Sequence, residues 1–219
     1  MTSRIVMVSS ICLFLFFSFA KADDTDWEVS ETIDISKMER VVFQKVALSE
    51  GAEWAATKGE ILIEEAEIPG RKYKTKKYLV QNIQVVTDNY NAFVSPDKIK
   101  LIFLKDKKLY EYYLATNKKQ LLGDAQYIKQ IPAFVEAYLC FRLNVKRTRI
   151  INNMAKEEFY LVSMKNYSGN ENQIGTVKVT ISKEDGGGLN PLNWVEINYQ
   201  NSRITLSGRF IETATFNIK

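Results

Sequence analysis

The sequence predicts a mainly β fold of the α+β type: a curled antiparallel sheet forming an incomplete barrel, with an N-terminal helix and a helical lid. Three observations predict it. Segments in which apolar and polar residues alternate with period two recur along most of the chain. Clusters of turn-forming residues separate these segments at short intervals. One stretch, residues 118–138, interrupts the alternation and carries apolar residues at helical spacing.

The chain begins with a pattern typical of a secretory signal peptide. Arg4 precedes the apolar segment 5–19, and Ala20-Lys21-Ala22 then supplies small residues two apart. We expect cleavage after Ala22, so that residues 1–22 are a signal peptide and residues 23–219 form a single exported domain. An uncleaved membrane anchor is the weaker alternative, because the apolar segment is short for a bilayer that needs ~20 residues.

The composition argues against several classes of function. The 219 residues include no histidine, which excludes Ser–His and Cys–His catalysis and His-ligated metal sites. Cys140 is the only cysteine after the signal peptide, and we expect it to be buried and inert. The net charge of +4 is small, and no nucleic-acid-binding motif is present. We therefore expect no enzyme, no cofactor or metal, and no nucleic-acid partner.

The elements follow in order from these patterns. Residues 26–40 predict a first helix, because acidic residues come early and basic residues late. Residues 105–108, 166–172 and 200–202 predict turns between strands. The strand patterns lie from residue 41 onward, at 60–64, 73–79, 99–104, 110–114, 141–145, 158–164, 176–181, 194–199 and 203–207.

Residues 118–138 predict two short helices or turns inserted in the sheet, which Pro132 divides. We expect this insert to cover the open mouth of the barrel as a lid. Packing on the convex outside is the alternative, but it would leave an apolar mouth exposed to water. The lid residues are Leu121, Leu122, Ile128, Phe134 and Val135.

The large apolar side chains of the strands have two interpretations. They fill the core of the sheet, or they line a concave cavity for an apolar ligand. The residues assigned to the cavity are Phe43, Ile61, Ile63, Tyr73, Phe103, Tyr110, Tyr112 and Trp194. The basic run 71–77 likewise forms either the solvated face of a strand or a docking patch for an acidic protein or an anionic membrane.

Four short segments follow one another in an order that is typical of one protein family. They are Val42-Phe43-Gln44-Lys45, Gly59-Glu60-Ile61-Leu62-Ile63 before Pro69-Gly70, Val94-Ser95-Pro96-Asp97 before the strands 101–103 and 109–114, and Pro191-Leu192-Asn193-Trp194-Val195. In this order the chain resembles the LolA family, the periplasmic carriers of outer-membrane lipoproteins. It departs from the family pattern at Lys98, where members have a glycine, and at Ile68, where members often have a basic residue.

The resemblance implies a monomeric periplasmic carrier that binds lipoprotein acyl chains in an apolar cavity and shuttles lipoproteins from the inner to the outer membrane. Its partners would be an inner-membrane ABC-type lipoprotein-releasing transporter and an outer-membrane receptor, or the outer membrane itself. One acyl chain of ~15 carbons exposed to water costs on the order of 12 kcal/mol, so such cargo needs an apolar wrapper. The alternative is an exported non-enzymatic binding or scaffold module with the same fold and a different apolar ligand, or none.

Overall fold

The computed structural model describes residues 26–47, 56–86, 88–131, 134–152, 155–182 and 190–218. The predicted signal peptide and its cleavage site lie outside the described residues. Within those ranges the chain forms strands and two short 3-10 helices, Val145–Arg147 and Pro191–Trp194. The mainly β, antiparallel character predicted from the alternation is confirmed.

The described strands pair into four antiparallel sheets, numbered here in chain order. Sheet 1 contains β1 (Trp27–Asp34), β2 (Glu39–Val46), β3 (Thr57–Ile68) and β4 (Arg71–Val85). Sheet 2 contains β5 (Ala92–Val94), β6 (Lys100–Lys105), β7 (Lys108–Tyr113) and β8 (Lys118–Asp124). Sheet 3 contains β9 (Tyr127–Ile131), β10 (Phe134–Leu143), β11 (Arg149–Asn152), β12 (Ala155–Asn166) and β13 (Glu171–Ser182). Sheet 4 contains β14 (Glu196–Gln200), β15 (Arg203–Ser207) and β16 (Ala214–Asn217).

The chain completes each sheet before it starts the next. Strands that are neighbours in sequence are neighbours in sheets 1, 2 and 4. In sheet 3, β10 and β11 pair with successive parts of β12, and β13 pairs with β12 as well. Successive antiparallel meanders of this kind are the units from which β-propellers are built. None of the four sheets closes on itself within the described residues.

The sheets pack face to face in chain order, so the core consists of three interfaces. Between sheets 1 and 2 the buried cluster includes Val41, Phe43, Ile61, Leu101, Phe103 and Tyr112. Between sheets 2 and 3 it consists of Ile102, Leu104, Leu109, Ala125, Ile128, Tyr138 and Cys140. Between sheets 3 and 4 it includes Tyr127, Phe141, Val162, Val179, Leu192 and Leu206. Strand β6 is buried along Leu101–Leu104 because both of its faces are covered.

The predicted N-terminal helix and helical lid are wrong. Residues 26–40 form β1, a turn and the start of β2, and the described residues within 118–138 form β8, β9 and the first part of β10. A bulge between Val29 and Glu31 interrupts the period-two pattern of β1. The turn at Ala125 and Gln126 separates the apolar residues of β8 from those of β9, which produces an accidental helical spacing.

The prediction of a single curled sheet that forms an incomplete barrel is also wrong. The described strands form separate stacked sheets instead of a single curled sheet. Two of these sheets, 2 and 3, are covered on both faces, as the clusters on either side of each show. The packing therefore buries the apolar strand residues between sheets, and the lid segment supplies strands to this stack.

The basic run belongs to a long hairpin between β3 and β4. Its turn, Ile68-Pro69-Gly70-Arg71, places Gly70 at φ 73°, which a type II turn requires at that position. Lys76 binds Glu39 at 2.5 Å and Glu65 at 3.1 Å, and Lys74 binds Glu67. Two of the basic side chains are thus matched by acidic residues of neighbouring strands, as expected for the solvated face of a strand.

Candidate functional site

A cleft of about 880 Å³ is lined by residues from several of the sheets. It lies where the chain passes from one sheet to the next. The end of β4, the turn between β6 and β7, the edge strand β11 and the start of β12 contribute to its wall. Strand ends from sheets 1, 2 and 3 therefore converge on this cleft.

The lining combines three kinds of side chain. The amides are Asn82, Gln84, Asn91, Gln126, Asn190 and Asn193. The aliphatic residues include Ile83, Val86, Leu104, Leu143, Ile181 and Pro191. The charged residues are Lys105, Asp106, Lys107, Lys156 and Glu158.

Hydrogen bonds from Gln126 and Asn190 hold the wall beside sheets 3 and 4. The backbone N–H of Leu143 donates to Gln126 Oε1 at 2.6 Å. Asn190 Nδ2 donates to the Gln126 carbonyl at 2.8 Å, and its own Oδ1 accepts from the backbone N–H of Leu192 at 3.1 Å. Asn190 thereby caps the short helix that leads into sheet 4, and this wall is rigidly connected to sheet 3.

The opposite wall is built around Tyr90 and two neighbouring asparagines. The hydroxyls of Tyr90 and Ser30 share a hydrogen bond of 2.7 Å, and burial raises the pKa of Tyr90 to about 12. Asn89 Nδ2 donates to the Tyr127 hydroxyl at 2.7 Å, and Asn89 Oδ1 accepts from the backbone N–H of Asn91 at 2.9 Å. Asn91 Oδ1 is buried and accepts no hydrogen bond from the described residues.

An ion pair and a tyrosine form the deepest polar group of the cleft. Glu158 is buried, and the Tyr160 hydroxyl donates to its Oε2. Lys156 Nζ lies 2.8 Å from Glu158 Oε1. Burial, followed by the contact with Glu158, raises the pKa of Tyr160, which keeps the phenol protonated at neutral pH. Both carboxylate oxygens of Glu158 are therefore engaged in bonds within the protein.

The residues predicted to line an apolar cavity lie elsewhere. Phe43, Ile61, Ile63, Phe103 and Tyr112 are buried between sheets 1 and 2, where Tyr110 stacks on Phe103 at 5.2 Å. The structure thus brings these side chains together as a packed interface, with Phe43 and Ile61 at most 1% exposed.

The other two predicted cavity residues are separate from this group. The Arg40 guanidinium lies 3.8 Å from the centroid of the Tyr73 ring. Trp194 packs edge-on against Phe210, with 5.4 Å between the ring centroids. None of the eight predicted cavity residues lines the cleft. Their role in ligand binding stays a prediction.

The predicted lid residues are divided between two sheets. Leu121 is exposed on β8, and Leu122 packs against the interface of sheets 2 and 3. Ile128 is buried in that interface on β9, and Phe134 and Val135 begin β10. The segment contributes Gln126 to the cleft wall, but it does so as a turn between strands.

Sequence reasoning missed the cleft itself. The sequence predicts residues 105–108 only as a turn between two strands, although the three basic residues of this turn indicate an exposed, charged loop. A second signal was Ile150-Ile151, an adjacent apolar pair in a polar and basic segment. Neither signal indicates that the two segments meet, because that depends on how sheets 2 and 3 stack.

Other kinds of site find little support in the described part of the chain. It contains no group of three or more Cys, Asp or Glu residues that could hold a metal ion. Cys140 is buried, and burial raises the pKa of its thiol from 9.0 to about 11. No helix among the described residues is long and apolar enough to cross a membrane.

Comparisons with known proteins leave the family open. No family model matches the chain, and no curated protein matches it significantly. Among solved structures the chain is similar to an acylaminoacyl peptidase from Pyrococcus horikoshii, with a TM-score of 0.43 and 13% sequence identity. The match covers 88% of this chain and 31% of the peptidase chain, so the chain spans about a third of that protein's length.

Proposed function

We propose that this protein is an exported, non-catalytic binding module that holds a segment of another polypeptide in the cleft. The observation that carries the proposal is the cleft itself, whose volume of about 880 Å³ lies within the range of natural ligand sites, ~300–1,000 Å³. Its wall is contributed by three sheets that pack against one another. Such a site is preformed and needs little reorganisation on binding.

The chemistry of the lining favours binding over catalysis. Glu158 is engaged by Lys156 and Tyr160, and burial raises the pKa values of Tyr90 and Tyr160. These phenols stay neutral near pH 7 and do not act as bases. The chain has no histidine, and the two carboxylates that line the cleft are Glu158, which is held by Lys156 and Tyr160, and Asp106, which lies on the exposed turn between β6 and β7.

The amide side chains favour a polypeptide as the ligand. Six Asn and Gln residues line the cleft, of which Gln126 and Asn190 already bond within the protein, and an amide side chain can both donate and accept hydrogen bonds, as peptide groups do. Tyr90 and Tyr160 are only 5% and 4% exposed, so neither offers a free ring face for stacking with a base. The aliphatic residues between the amides would accept the apolar side chains of such a segment.

The lipoprotein carrier is a second proposal, favoured by one observation. The cleft contains aliphatic side chains, among them Ile83, Leu104 and Ile181, that could contact an acyl chain. In this version the chain would occupy the cleft and not the packed interface around Phe43. The carrier would still deliver lipoproteins between the two membranes, with the same expected partners.

Site-specific photo-crosslinking tests the binding module. A photoreactive residue replaces Gln84, on the exposed rim of the cleft, and the matched control replaces Thr215 on the exposed face of sheet 4. In cells that make the protein naturally, the Gln84 position should give a discrete protein adduct and the Thr215 position should not. Ala155→Trp, which fills the cleft, should remove the adduct. Equal labelling from both positions, or an adduct that Ala155→Trp leaves unchanged, would contradict the proposal.

A fluorescent fatty acid separates the two candidate ligands. If the carrier proposal is right, the purified protein binds the probe, and Ala155→Trp weakens binding while Phe43→Leu does not. If the polypeptide proposal is right, the probe does not bind at micromolar concentration, although the crosslink at Gln84 still forms. Probe binding that survives Ala155→Trp would place the acyl site outside the cleft.

A further inference from the structure

One border of the cleft is an unpaired strand edge. Strand β11 pairs with β12 along one edge, and within the described residues no strand pairs with its other edge. Its Ile150 lines the cleft, as do Leu143 at the end of β10 and Gln126 before β9. The free edge of β11 therefore belongs to a strand that contributes a residue to the cleft wall.

The side chains of β11 are exposed on both faces of the strand. Ile150 is 79% exposed and Ile151 is 52% exposed, although adjacent strand residues point to opposite faces. Val145, in the 3-10 helix just before β11, is 73% exposed. Neither face of β11 is covered by the described part of the protein, and an exposed apolar strand of this kind is a template for pairing.

Two other edge strands, β1 and β8, carry several charged residues. Strand β1 at the edge of sheet 1 carries Glu28, Glu31 and Asp34, and β8 at the edge of sheet 2 carries three charged residues of its own. Charged side chains and bulges on edge strands oppose pairing with another chain. The only charged residue of β11 is Arg149, which pairs with Glu157 at 2.9 Å.

The surroundings of this edge are basic. Lys105 and Lys107 line the cleft, and Lys146 and Arg147 are exposed immediately before β11. These four cations have no carboxylate partner within the described residues, while Lys156 and Arg149 are paired with Glu158 and Glu157. Asp106 lies between the two lysines on the turn. The excess of unpaired positive charge selects an acidic ligand.

We propose that β11 binds an extended acidic segment of a partner protein, with alternating apolar and acidic residues, as an added antiparallel or parallel strand. This inference rests on the proposed binding function and specifies its ligand. Backbone hydrogen bonds to the β11 edge provide affinity, and Ile151 contacts the apolar side chains, while the acidic side chains lie on the opposite face, toward Ile150 and the cleft. The lysines of the 105–108 turn contact the acidic side chains.

Synthetic peptides of about eight residues test each part of the proposal. A fluorescein-labelled peptide of alternating valine and glutamate should bind, as measured by fluorescence anisotropy. The same side chains on a backbone methylated at every amide cannot form strand hydrogen bonds and should bind about tenfold more weakly or not at all. A valine–lysine peptide should also fail to bind. Equal affinity for the methylated peptide would overturn strand addition.

Variants locate the binding. The double change Ile150→Asp and Ile151→Asp should weaken the valine–glutamate peptide about tenfold or more, because it removes apolar contact and adds like charge. The matched control is Ile99→Asp, since Ile99 is 51% exposed and lies in a turn of sheet 2 that does not line the cleft. Because all three side chains are exposed, these variants should fold like the wild type. If Ile99→Asp weakens binding equally, the proposal fails.

Hydrogen–deuterium exchange gives a second measurement that uses the unchanged protein. The peptide should slow exchange at the amides of β11, while the outer strands of sheet 4 should be unaffected. If the peptide fails to bind but the Gln84 crosslink still forms, strand addition at β11 is wrong and the binding module stands. Binding of anionic vesicles in place of the acidic peptide, lost in the Ile150→Asp and Ile151→Asp variant, would reassign this edge to a membrane surface and overturn the proposal.

Discussion

The two faces of sheet 2 are buried by different means. The face toward sheet 1 packs a mostly apolar and aromatic cluster, which includes Leu101, Phe103 and Tyr112, and Lys77 of sheet 1 donates to the Tyr112 hydroxyl at 2.7 Å. The face toward sheet 3 combines a smaller apolar cluster with a buried ion pair, in which Lys100 Nζ lies 3.3 Å from Glu111 Oε2. Lys100 also donates to the Tyr167 carbonyl of sheet 3 at 2.6 Å.

The two interfaces therefore differ in what they contribute to the fold, namely stability in one case and a fixed alignment of the sheets in the other. Apolar burial contributes in proportion to the area removed from water and tolerates small changes in how two sheets are aligned. The Lys100 ammonium is satisfied only when Tyr167 and Glu111 are both in place, because an unpaired buried charge is costly. We expect the sheet 1–sheet 2 interface to contribute more stability, and the sheet 2–sheet 3 interface to fix the alignment of the cleft walls.

The largest effect should follow from removing the centre of the apolar interface. Phe43 is 1% exposed and contacts the Tyr90 ring edge-on at 5.4 Å. Phe43→Ala should lower the free energy of unfolding by about 3–5 kcal/mol, because it deletes apolar contacts and leaves a cavity. Urea unfolding of the variant and the wild type, carried out at two salt concentrations, measures this loss of unfolding free energy. A loss below about 1 kcal/mol would mean that this interface collapses without cost.

Breaking the ion pair on the other face should have the next largest effect. Glu111→Gln leaves the Lys100 ammonium without its counter-charge and should cost about 3 kcal/mol. The Lys100→Met change in the same background should recover part of this loss, since no unpaired charge remains. A double-mutant cycle from urea unfolding measures the coupling. Additive effects of the two changes would show that the pair does not organise this interface.

The same interface should make stability depend on alkaline pH through Cys140. Burial raises the pKa of its thiol from 9.0 to about 11, so the folded state holds the proton to a higher pH than the unfolded chain. The stability that this provides is present below about pH 9 and is lost as the pH rises toward 11. The difference in unfolding free energy between wild type and Cys140→Ala should therefore shrink by about 2 to 3 kcal/mol over that range. A difference independent of pH would contradict the burial of the thiol.

The contrast between the two faces also explains what the sequence could predict. Period-two alternation located most of the strands, because side-chain direction within a strand is a local property. The run Leu101–Leu104 carries the signal of two-sided burial, but a continuous apolar run does not say which sheets cover it. A stack and a curled sheet present the same local pattern, so the expected barrel was as consistent with the sequence as the observed sheets.

The errors at β1 and β8–β9 have a similar origin. Bulges and tight turns shift the alternation, and the shifted pattern imitates helical spacing over a short window. The cleft was beyond sequence reasoning for another reason. Ile150 and Lys105 are distant in the chain and meet only because sheets 2 and 3 pack against each other. Five of the eight assigned cavity residues are buried and three are partly exposed, and burial alone does not distinguish a core from a ligand site.

The smallest effect on the unfolding free energy should come from a matched pair of tyrosine substitutions, one in each interface. The Tyr90 hydroxyl shares a hydrogen bond with Ser30, whereas the buried Tyr138 hydroxyl has no hydrogen-bond partner within the described residues. Tyr90→Phe removes a satisfied bond and should lower the unfolding free energy by about 1 kcal/mol. Tyr138→Phe removes an unsatisfied polar group and should be neutral or stabilise by up to about 1 kcal/mol.

The two substitutions test the hydrogen bonding because each deletes one oxygen from a buried ring, yet we expect the unfolding free energy to fall in Tyr90→Phe and to stay unchanged or rise in Tyr138→Phe. Thermal and urea unfolding of the two variants beside wild type measure them, and Ser30→Ala serves as the control that should reproduce the Tyr90→Phe loss. If Tyr138→Phe costs as much as Tyr90→Phe, the Tyr138 hydroxyl is bonded in solution, and Glu111 Oε1, itself without a partner among the described groups, is the acceptor on the same face. The sheet 2–sheet 3 interface would then be a connected polar network, and its contribution to stability would exceed that of the Lys100–Glu111 pair alone.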